Sequence, residues 1–411
     1  MAADHMSDTK TRLLRIDSDE WTLRPVRALL LSAEGELGGA ERSFLEVLKA
    51  LPRDKVAPEV CVPPGCPLSR LCLQAGVRVH DVPYRRFRRT TNIFVLGGQV
   101  WALYRGAQRV AAICRESGAE VIHANTDTAA LVAWEASRMT GVPFIWHCRD
   151  MCPMHGFASV LSASAAAVVA ISGAVEQHLL KERAQAEKIR RVDNGVDLAR
   201  FCALDQRAAI RARTREKLGI ANDRPVVLSI GAYVPWKKHE LFLEALALLR
   251  EQWPSVLGLL AGSSHISGNT AYAESLWDYA GKLALHEGDA LRLLEQREDI
   301  PELLAAADLL VSCSENEPFG RVLAEAGAAG LPVVSTRSGA KSEIVEDNAT
   351  GVLTEPGLAG PIAAACAGLL ADQPRRAEMG RLARARVEKY FDVRRAAAEL
   401  AALFETVAAR R

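Results

Sequence analysis

The sequence lacks the features that would place the chain in a membrane or outside a reducing compartment. No apolar run reaches the roughly 20 residues that a bilayer requires, since serines interrupt the longest candidate, residues 158–171. The polar first 19 residues do not contain the apolar core of a signal peptide. The nine cysteines are odd in number and form no Cys-x-x-Cys pair, which favours free thiols over a disulfide framework. We therefore expect a cytoplasmic globular protein.

The charge balance excludes another class of protein. Lysine and arginine number 51 against 50 acidic residues, a net charge of +1, so the strongly basic balance of nucleic-acid-binding proteins is absent. The 411 residues, 49% of them hydrophobic, suffice for two or three domains. Asp17-Ser18-Asp19 has the form of a metal–diphosphate motif, but it lies in the polar leader before any predicted strand. We expect no metal site there.

One stretch of the C-terminal half combines a buried strand, an acidic loop and a helix. Residues 307–313 form an apolar run that is typical of a buried parallel strand. Pro318 suits the first position of a helix, and Gly330 followed by Pro332 would end it. The first backbone N–H groups of such a helix are unpaired and bind anions. The residues that would supply this anion site are Phe319, Gly320, Arg321 and Val322.

Two carboxylates flank this predicted anion site. Glu317 precedes the helix, and Glu325 lies eight residues later, about 12 Å along a helix axis at a rise of 1.5 Å per residue. A ligand with an anion at its centre and hydroxyl groups at both ends would fit, as a nucleotide diphosphate sugar does. The alternative interpretation is an ordinary strand–helix–strand unit with two surface glutamates.

The spacing Glu317-x7-Glu325, followed by the Gly-x-Pro-Val-Val strand of residues 330–334, resembles the signature of retaining family-4 glycosyltransferases. The resemblance covers residues 27–408 and implies the GT-B fold: two Rossmann-like, doubly wound α/β domains that face each other across a cleft. It implies that Glu317 contacts the hydroxyl groups of the donor sugar and Glu325 those of the ribose.

Several other segments resemble this family more loosely. Gly38 and Gly39 follow the first predicted strand and resemble the glycine-rich loop that faces the donor. His147 ends a predicted strand, where α/β sheets place ligands, and resembles a family histidine beside the donor sugar and the acceptor. The run from Tyr84 to Arg89 is either a solvated loop or a surface for an anionic acceptor or a membrane. The candidate acceptor-binding residues are Arg85, Arg86, Arg88, Arg89, His123, Asn125 and Arg149.

The second domain departs from the family pattern at one loop. Residues 231–238 resemble the G-R-x-x-x-x-K-G loop whose arginine and lysine hold the donor diphosphate, and Lys237 matches the lysine. Ala232 occupies the arginine position and Lys238 the second glycine position. One cationic contact is therefore missing, unless Lys238 or another residue replaces it. By the same resemblance Arg297 is a candidate contact of the nucleotide base, and the alternative is an ordinary surface arginine.

The sequence predicts four segments: a polar leader, two domains and a final helix that crosses back to the first domain. Their boundaries are residues 1–24 for the leader, 25–198 for the acceptor-binding domain, 199–390 for the nucleotide-sugar-binding domain and 391–411 for the final helix.

The resemblance implies a bacterial glycosyltransferase for glycoconjugate, polysaccharide or small-molecule glycoside synthesis. It would use a UDP- or GDP-type sugar, need no metal or other cofactor, and rely on His147, Lys237 and Glu317 for catalysis. Two alternatives remain open: a catalytically weak donor-binding partner subunit, which the Ala232 departure favours, and a GT-B nucleotide-sugar epimerase. A nicotinamide oxidoreductase is disfavoured because the GxGxxG motif is absent. The acceptor and the oligomeric state stay open, as does peripheral contact with the inner face of the membrane.

Overall fold

The structure is a computed structural model that describes residues 24–83, 91–154, 156–263 and 270–410. Two parallel β-sheets organise these residues, and every strand pair in both sheets is parallel. Most inner strands are short apolar runs buried on both faces, as parallel strands between helical layers require, whereas the edge strands Arg78–Asp81 and Ile189–Arg191 are partly exposed. This architecture confirms the predicted pair of doubly wound α/β domains.

The first domain contains a seven-stranded sheet in the order β3-β2-β1-β4-β5-β6-β7. Its strands are β1 (Val26–Leu31), β2 (Val56–Val62), β3 (Arg78–Asp81), β4 (Val121–Ala124), β5 (Phe144–Cys148), β6 (Ala167–Ala170) and β7 (Ile189–Arg191). Its helices are α1 (Gly39–Ala50), α2 (Pro67–Gln74), α3 (Ile93–Ser117), α4 (Asp127–Thr140), α5 (Phe157–Ser164) and α6 (Gly173–Lys181). The strand order reverses between β1 and β4, and open α/β sheets bind ligands at such a switch point.

The second domain repeats this plan with six strands in the order β10-β9-β8-β11-β12-β13. These strands are β8 (Val226–Ile230), β9 (Leu257–Ala261), β10 (Leu291–Leu294), β11 (Leu309–Ser312), β12 (Val333–Thr336) and β13 (Gly351–Thr354). Its helices are α7 (Arg207–Lys217), α8 (His239–Gln252), α9 (Thr270–Lys282), α10 (Ile300–Ala306), α11 (Arg321–Ala328), α12 (Lys341–Ile344), α13 (Ala359–Ala371) and α14 (Gln373–Tyr390). The switch point lies between β8 and β11.

The last helix, α15 (Val393–Ala408), leaves the second domain and packs on the first. Its buried side chains Leu400 and Phe404 belong to the same apolar cluster as Leu30 and Phe44 of the first domain. The crossing begins where the backbone of Val196 exchanges hydrogen bonds with the segment around Val393. The two domains are thus connected twice by the chain.

Two predicted helices begin later than expected. The helix predicted from Pro318 begins at Arg321, because Gly320 has a left-handed backbone (φ 96°) that interrupts helical geometry. The charged helix predicted from Arg200 begins at Arg207, after two short 3-10 turns. The first shift matters for the site, because Glu317 lies on a loop and not on the axis of α11.

Candidate active site

A cavity of about 370 Å³ lies between the two domains, at the carboxyl edges of both sheets. The second domain contributes Lys237, Glu317, Arg321 and Glu325, which we call the donor wall. The first domain contributes Arg149 and Asn194 to the lining, and we call these two residues, with Ser43 and Asn125 that also hold Arg149, the acceptor wall. Gly38, Gly39, Arg297, Phe319, Gly320 and Val322 also line the cavity. The structure therefore brings most of the predicted donor residues together.

Glu317 is held by short hydrogen bonds inside the donor wall. Its Oε2 accepts from Lys237 Nζ at 2.8 Å and from Ser314 Oγ at 2.7 Å. Burial by itself would raise the pKa of Glu317, but the charge and hydrogen bond of Lys237, with the hydrogen bond of Ser314, outweigh burial and lower the pKa. Glu317 is thus an anion at neutral pH, fixed in position before any ligand arrives.

Gly339 supports the loop that carries Glu317. Its backbone is left-handed (φ 60°), and a Cβ atom at this position would lie 2.3 Å from the carbonyl oxygen of Glu317. That carbonyl accepts a hydrogen bond from the N–H of Ala340. Only glycine permits this close approach, so Gly339 allows the backbone of Glu317 to pack directly against residue 339.

Lys237 ends a short 3-10 turn, Pro235–Lys237, and its Nζ lies 4.1 Å from the centre of the Trp236 ring. Lys238 has a left-handed backbone, pairs with Glu315 at 3.5 Å and is absent from the cavity lining. Ala232 does line the cavity. The position where the family pattern has arginine is therefore a small side chain facing the cleft, and Lys238 does not fill it.

Glu325 lies one helical turn beyond Arg321 and is bonded to it. Arg321 Nε donates to Glu325 Oε1 at 2.9 Å, and Arg321 Nη2 donates to Glu46 Oε1 of the first domain at 2.6 Å. Glu46 Oε1 also accepts from Arg200 Nη1 at 2.9 Å. A charged cluster therefore crosses the cleft beside Glu325, the carboxylate that is expected to contact the ribose. Arg297, in contrast, pairs locally with Asp299 at 2.6 and 2.7 Å.

Arg149 forms the centre of the acceptor wall. Its Nε donates to Asn125 Oδ1 at 2.6 Å, and its Nη1 donates to Asn194 Oδ1 at 2.9 Å and to Ser43 Oγ at 3.1 Å. These partners are neutral, although the side chain is only 5% exposed. Burial lowers the pKa of Arg149 to about 10, so the guanidinium is still cationic at neutral pH.

A buried glutamate lies close to Arg149. Glu41, on the first turn of α1, is 4% exposed. Burial raises its pKa to about 7, and the attraction of Arg149 offsets only part of this effect. The sequence did not predict Glu41, Ser43 or Asn194 as site residues. Glu41 and Ser43 could have been found from the polar residues that follow Gly38 and Gly39.

His147 and His123 form a buried pair behind the acceptor wall. His123 Nε2 and His147 Nδ1 are 2.9 Å apart, and neither residue lines the cavity. Burial lowers both pKa values, that of His123 to about 3, so both rings are neutral at physiological pH. Arg149 and Asp150, which directly follow the strand that carries His147, line the cavity instead. The catalytic role of His147 stays a prediction.

The remaining features are the basic run, metal sites and membrane-spanning helices, for which the described residues give the following. Arg85, Arg86, Arg88 and Arg89 lie outside the residues that the structure describes. Within the described ranges, no three His, Cys, Asp or Glu side chains form a group that could hold a metal ion. No helix in the described part of the chain is long and apolar enough to cross a membrane.

Comparisons with known families and relatives agree with this geometry. Residues 37–200 match the Glycosyltransferase Family 4 model, and residues 210–386 match the Glycosyl transferases group 1 model. The D-inositol 3-phosphate glycosyltransferase of Kineococcus radiotolerans is 30% identical over 352 residues, which cover 77% of this chain and 78% of that protein. Its counterpart in Xylanimonas cellulosilytica is 28% identical over 381 residues, covering 87% of this chain and 89% of the relative.

Solved structures are similar over almost the whole chain. Anabaena Alr3699/HepE in complex with UDP-glucose has a TM-score of 0.79 and 27% identity, covering 92% of this chain and 99% of that one. Sucrose-phosphate synthase from Thermosynechococcus elongatus shares the fold, with a TM-score of 0.78 and 21% identity over 94% of this chain and all of the other. The chain therefore belongs to the family-4, group 1 glycosyltransferases and is a glycosyltransferase with the GT-B fold.

Proposed function

We propose that the protein transfers a sugar from a UDP-sugar, with retention of configuration, to an acceptor that carries an anionic group. The observation that carries the acceptor class is Arg149, a buried guanidinium at the cleft that donates its hydrogen bonds to neutral oxygens. A buried cation held by neutral groups is costly, and a phosphate or carboxylate of the acceptor would offset that cost.

The relatives support the same pair of substrates. HepE has been crystallised with UDP and with UDP-glucose, and it is 26 to 27% identical to this chain. Several relatives are named for D-inositol 3-phosphate, which is a phosphorylated cyclitol. A UDP-sugar is accordingly the first donor to test, and a phosphorylated polyol is the first acceptor.

The donor wall is suited to stabilising a leaving diphosphate. Negative charge grows on this group as the glycosidic bond breaks, and fixed donors stabilise it most effectively. Lys237 and the backbone N–H groups at the start of α11 would supply them, while Glu317 would accept hydrogen bonds from the sugar hydroxyls. The leaving phosphate oxygen would take the acceptor's proton on the same face of the sugar, which gives retention. Cleft closure would exclude water.

The proposal requires no metal and no cofactor other than the donor. Neutralisation of the diphosphate is assigned to Lys237 and to the start of α11. Full activity in the presence of EDTA supports this assignment, whereas activity lost to EDTA and restored by manganese contradicts it.

The exposed start of α3 supports peripheral contact with an anionic bilayer. Residues 93–104 contain no charged side chain, and Phe94 and Trp101 are 85% and 64% exposed. Arg105 follows directly, with its guanidinium 5.4 Å from the Trp101 ring. An aromatic, uncharged surface next to cations is suited to the interface of an anionic membrane. The double variant Phe94→Ser/Trp101→Ser should sediment less with phosphatidylglycerol vesicles than wild type, and unchanged sedimentation contradicts the assignment.

Ala232 keeps one alternative in consideration, a donor-binding partner subunit with little turnover. A thermal-shift panel of UDP, GDP and their sugars, on wild type and Glu325→Ala, tests the donor first. A ligand at 100 times its Kd that binds only the folded state adds about 2.7 kcal/mol of stability. A UDP-selective shift that is lost in Glu325→Ala, with transfer to D-inositol 3-phosphate or another phosphorylated polyol, supports the proposal. The same shift with no turnover on any acceptor favours the partner subunit.

A further inference from the structure

We propose that Arg321 positions Glu325 for recognition of the ribose, and that Glu46 of the facing domain, which holds the same guanidinium, makes this positioning firmer while the cleft is closed. The inference rests on the proposed function, in which Glu325 contacts the ribose of a UDP-sugar. It adds a residue outside the Glu-x7-Glu pair, and it connects nucleotide recognition with the arrangement of the two domains.

The contact within α11 fixes one oxygen of Glu325 and leaves the other available. Arg321 Nε donates to Oε1 at 2.9 Å across one helical turn. Oε2 receives no hydrogen bond from the described residues, and Glu325 lines the cavity. A carboxylate held by one oxygen has lost much of its rotational freedom, so its second oxygen presents a fixed acceptor to the ribose hydroxyls.

The contact across the cleft holds the opposite edge of the Arg321 guanidinium. Arg321 Nη2 donates at 2.6 Å to Oε1 of Glu46, which lies on α1 of the first domain and whose side chain is 7% exposed. Arg200 donates to the same oxygen at 2.9 Å. Two guanidiniums and two carboxylates therefore balance one another in a cluster that joins both domains and is buried except for Arg200.

The hydrogen bonds of this cluster are incomplete. Arg321 Nη1 and Glu46 Oε2 are both buried, and neither has a hydrogen-bond partner among the described residues. A buried ionic cluster with unpaired atoms adds little net stability, but it can specify one geometry. A role in arrangement therefore explains this cluster better than a role in stability.

The two carboxylates of the donor wall would respond differently to cleft opening. Glu317 is bonded to Lys237 and Ser314, which belong to its own domain, so these contacts survive a separation of the domains. Arg321 keeps its contact with Glu325 within α11 but loses Glu46 when the domains separate, so one of the two carboxylates that orient its guanidinium is gone. The ribose end of the donor site is thus held more firmly when the cleft is closed, whereas the contacts at the sugar end do not change with closure.

Calorimetric titration with UDP and 2′-deoxy-UDP tests the inference, because the ratio of the two affinities reports on ribose recognition. Wild type should bind UDP about tenfold more tightly, which corresponds to about 1.4 kcal/mol. Arg321→Leu should reduce the ratio to about two, as should Glu325→Ala, and Arg321→Lys should restore part of it. Glu46→Ala should give an intermediate ratio. The matched control is Arg337→Leu, which removes an exposed pair with Asp347 in the same domain and should keep the wild-type ratio.

The outcomes separate the inference from the proposed function. A wild type that does not bind UDP overturns the proposed donor, and the inference with it. A wild type that binds UDP, together with a folded Arg321→Leu that keeps the wild-type ratio, overturns the inference alone. A wild-type ratio in Glu46→Ala overturns the dependence on closure and limits Arg321 to its contact with Glu325. Circular dichroism and thermal unfolding of each variant exclude loss of fold as the cause.

Discussion

The two walls of the cleft hold their charges in opposite ways. In the donor wall each cation is matched with a carboxylate, as in Lys237 with Glu317, and the pKa of Glu317 is lowered despite burial. In the acceptor wall Arg149 is held by neutral oxygens, and the pKa of the neighbouring Glu41 is raised to about 7. The donor wall thus has no net charge and is held in place before a ligand arrives. In the acceptor wall burial disfavours the charge of Arg149, and an anionic ligand would reduce this unfavourable free energy.

The largest effect is expected where the matched charges of the donor wall are broken. Glu317→Gln keeps the size of the side chain but removes the anion that Lys237 neutralises. We expect kcat to fall on the order of 10³-fold, about 4 kcal/mol, with UDP affinity changed less than threefold, because in the proposed donor complex Glu317 contacts the sugar and not the nucleotide. Initial rates of transfer and UDP titrations measure the two quantities separately.

Glu315→Gln is the matched control, since Glu315 is 48% exposed and pairs with Lys238 outside the cavity lining. It should retain kcat within a factor of two. Equal losses of kcat in both variants would show that the acidic loop as a whole matters, and not the Lys237–Glu317 pair.

The second prediction concerns stability, and it uses Glu41, the buried carboxyl close to Arg149. The pKa of Glu41 is about 7 in the folded protein, against an ordinary value of 4.5 for a solvated glutamate, so the folded state favours the protonated form. This contribution to stability is complete below pH 4.5 and is lost as the pH rises through 7. Glu41→Gln should therefore leave stability unchanged near pH 4.5 and raise it at pH 8, by on the order of 3 kcal/mol at most.

Denaturant unfolding of Glu41→Gln and wild type at several pH values between about 5 and 8 measures this difference. Glu135→Gln offers a comparison in the same domain, since Glu135 pairs with an arginine, Arg138, and lies away from the cleft lining. A stability difference between Glu41→Gln and wild type that does not grow with pH would contradict the raised pKa.

The third prediction removes Arg149, the buried cation whose hydrogen bonds go to neutral oxygens. Arg149→Met should raise the KM for a phosphorylated acceptor about 30-fold, about 2 kcal/mol, because one charge-assisted hydrogen bond is lost. The same variant should leave the KM for the unphosphorylated polyol within a factor of three. Arg138→Met, which removes an exposed pair with Glu135, is the control. Equal effects on both acceptors would assign Arg149 to structure alone.

Part of the donor wall could be predicted from the sequence. In a doubly wound domain, strand ends and helix starts meet at the carboxyl edge of the sheet, where ligands bind. Local motifs at such positions predicted Glu317, Glu325 and Lys237, and all three line the cavity. The start of α11 was not predictable from Pro318, since the left-handed backbone of Gly320 depends on packing that the motif does not show. Local sequence thus predicted which residues meet, but not the path of the loop.

The contacts across the cleft could not be predicted, for a physical reason. Glu46 and Arg321 are 275 residues apart, and their contact depends on how the two domains are oriented. Arg149 was selected from the end of its strand, whereas its partners Ser43 and Asn194 come from separate loops. Hydrophobic periodicity determines sheets and helices, and it carries no information on which polar side chains of distant elements pair.

The smallest effect is expected for a second pair that crosses the cleft, Arg42 with Glu298. Their atoms are 2.9 Å apart, as close as many buried pairs, but the Glu298 side chain is 75% exposed. Solvent screens such a pair, so Arg42→Ala should change UDP affinity by less than about 0.5 kcal/mol, roughly twofold. Glu46→Ala should have the larger effect, because the buried Arg321 would lose a partner that water cannot replace. Titration of both variants with UDP compares them, and an equal loss would mean that proximity across the cleft, and not burial, decides which contact matters.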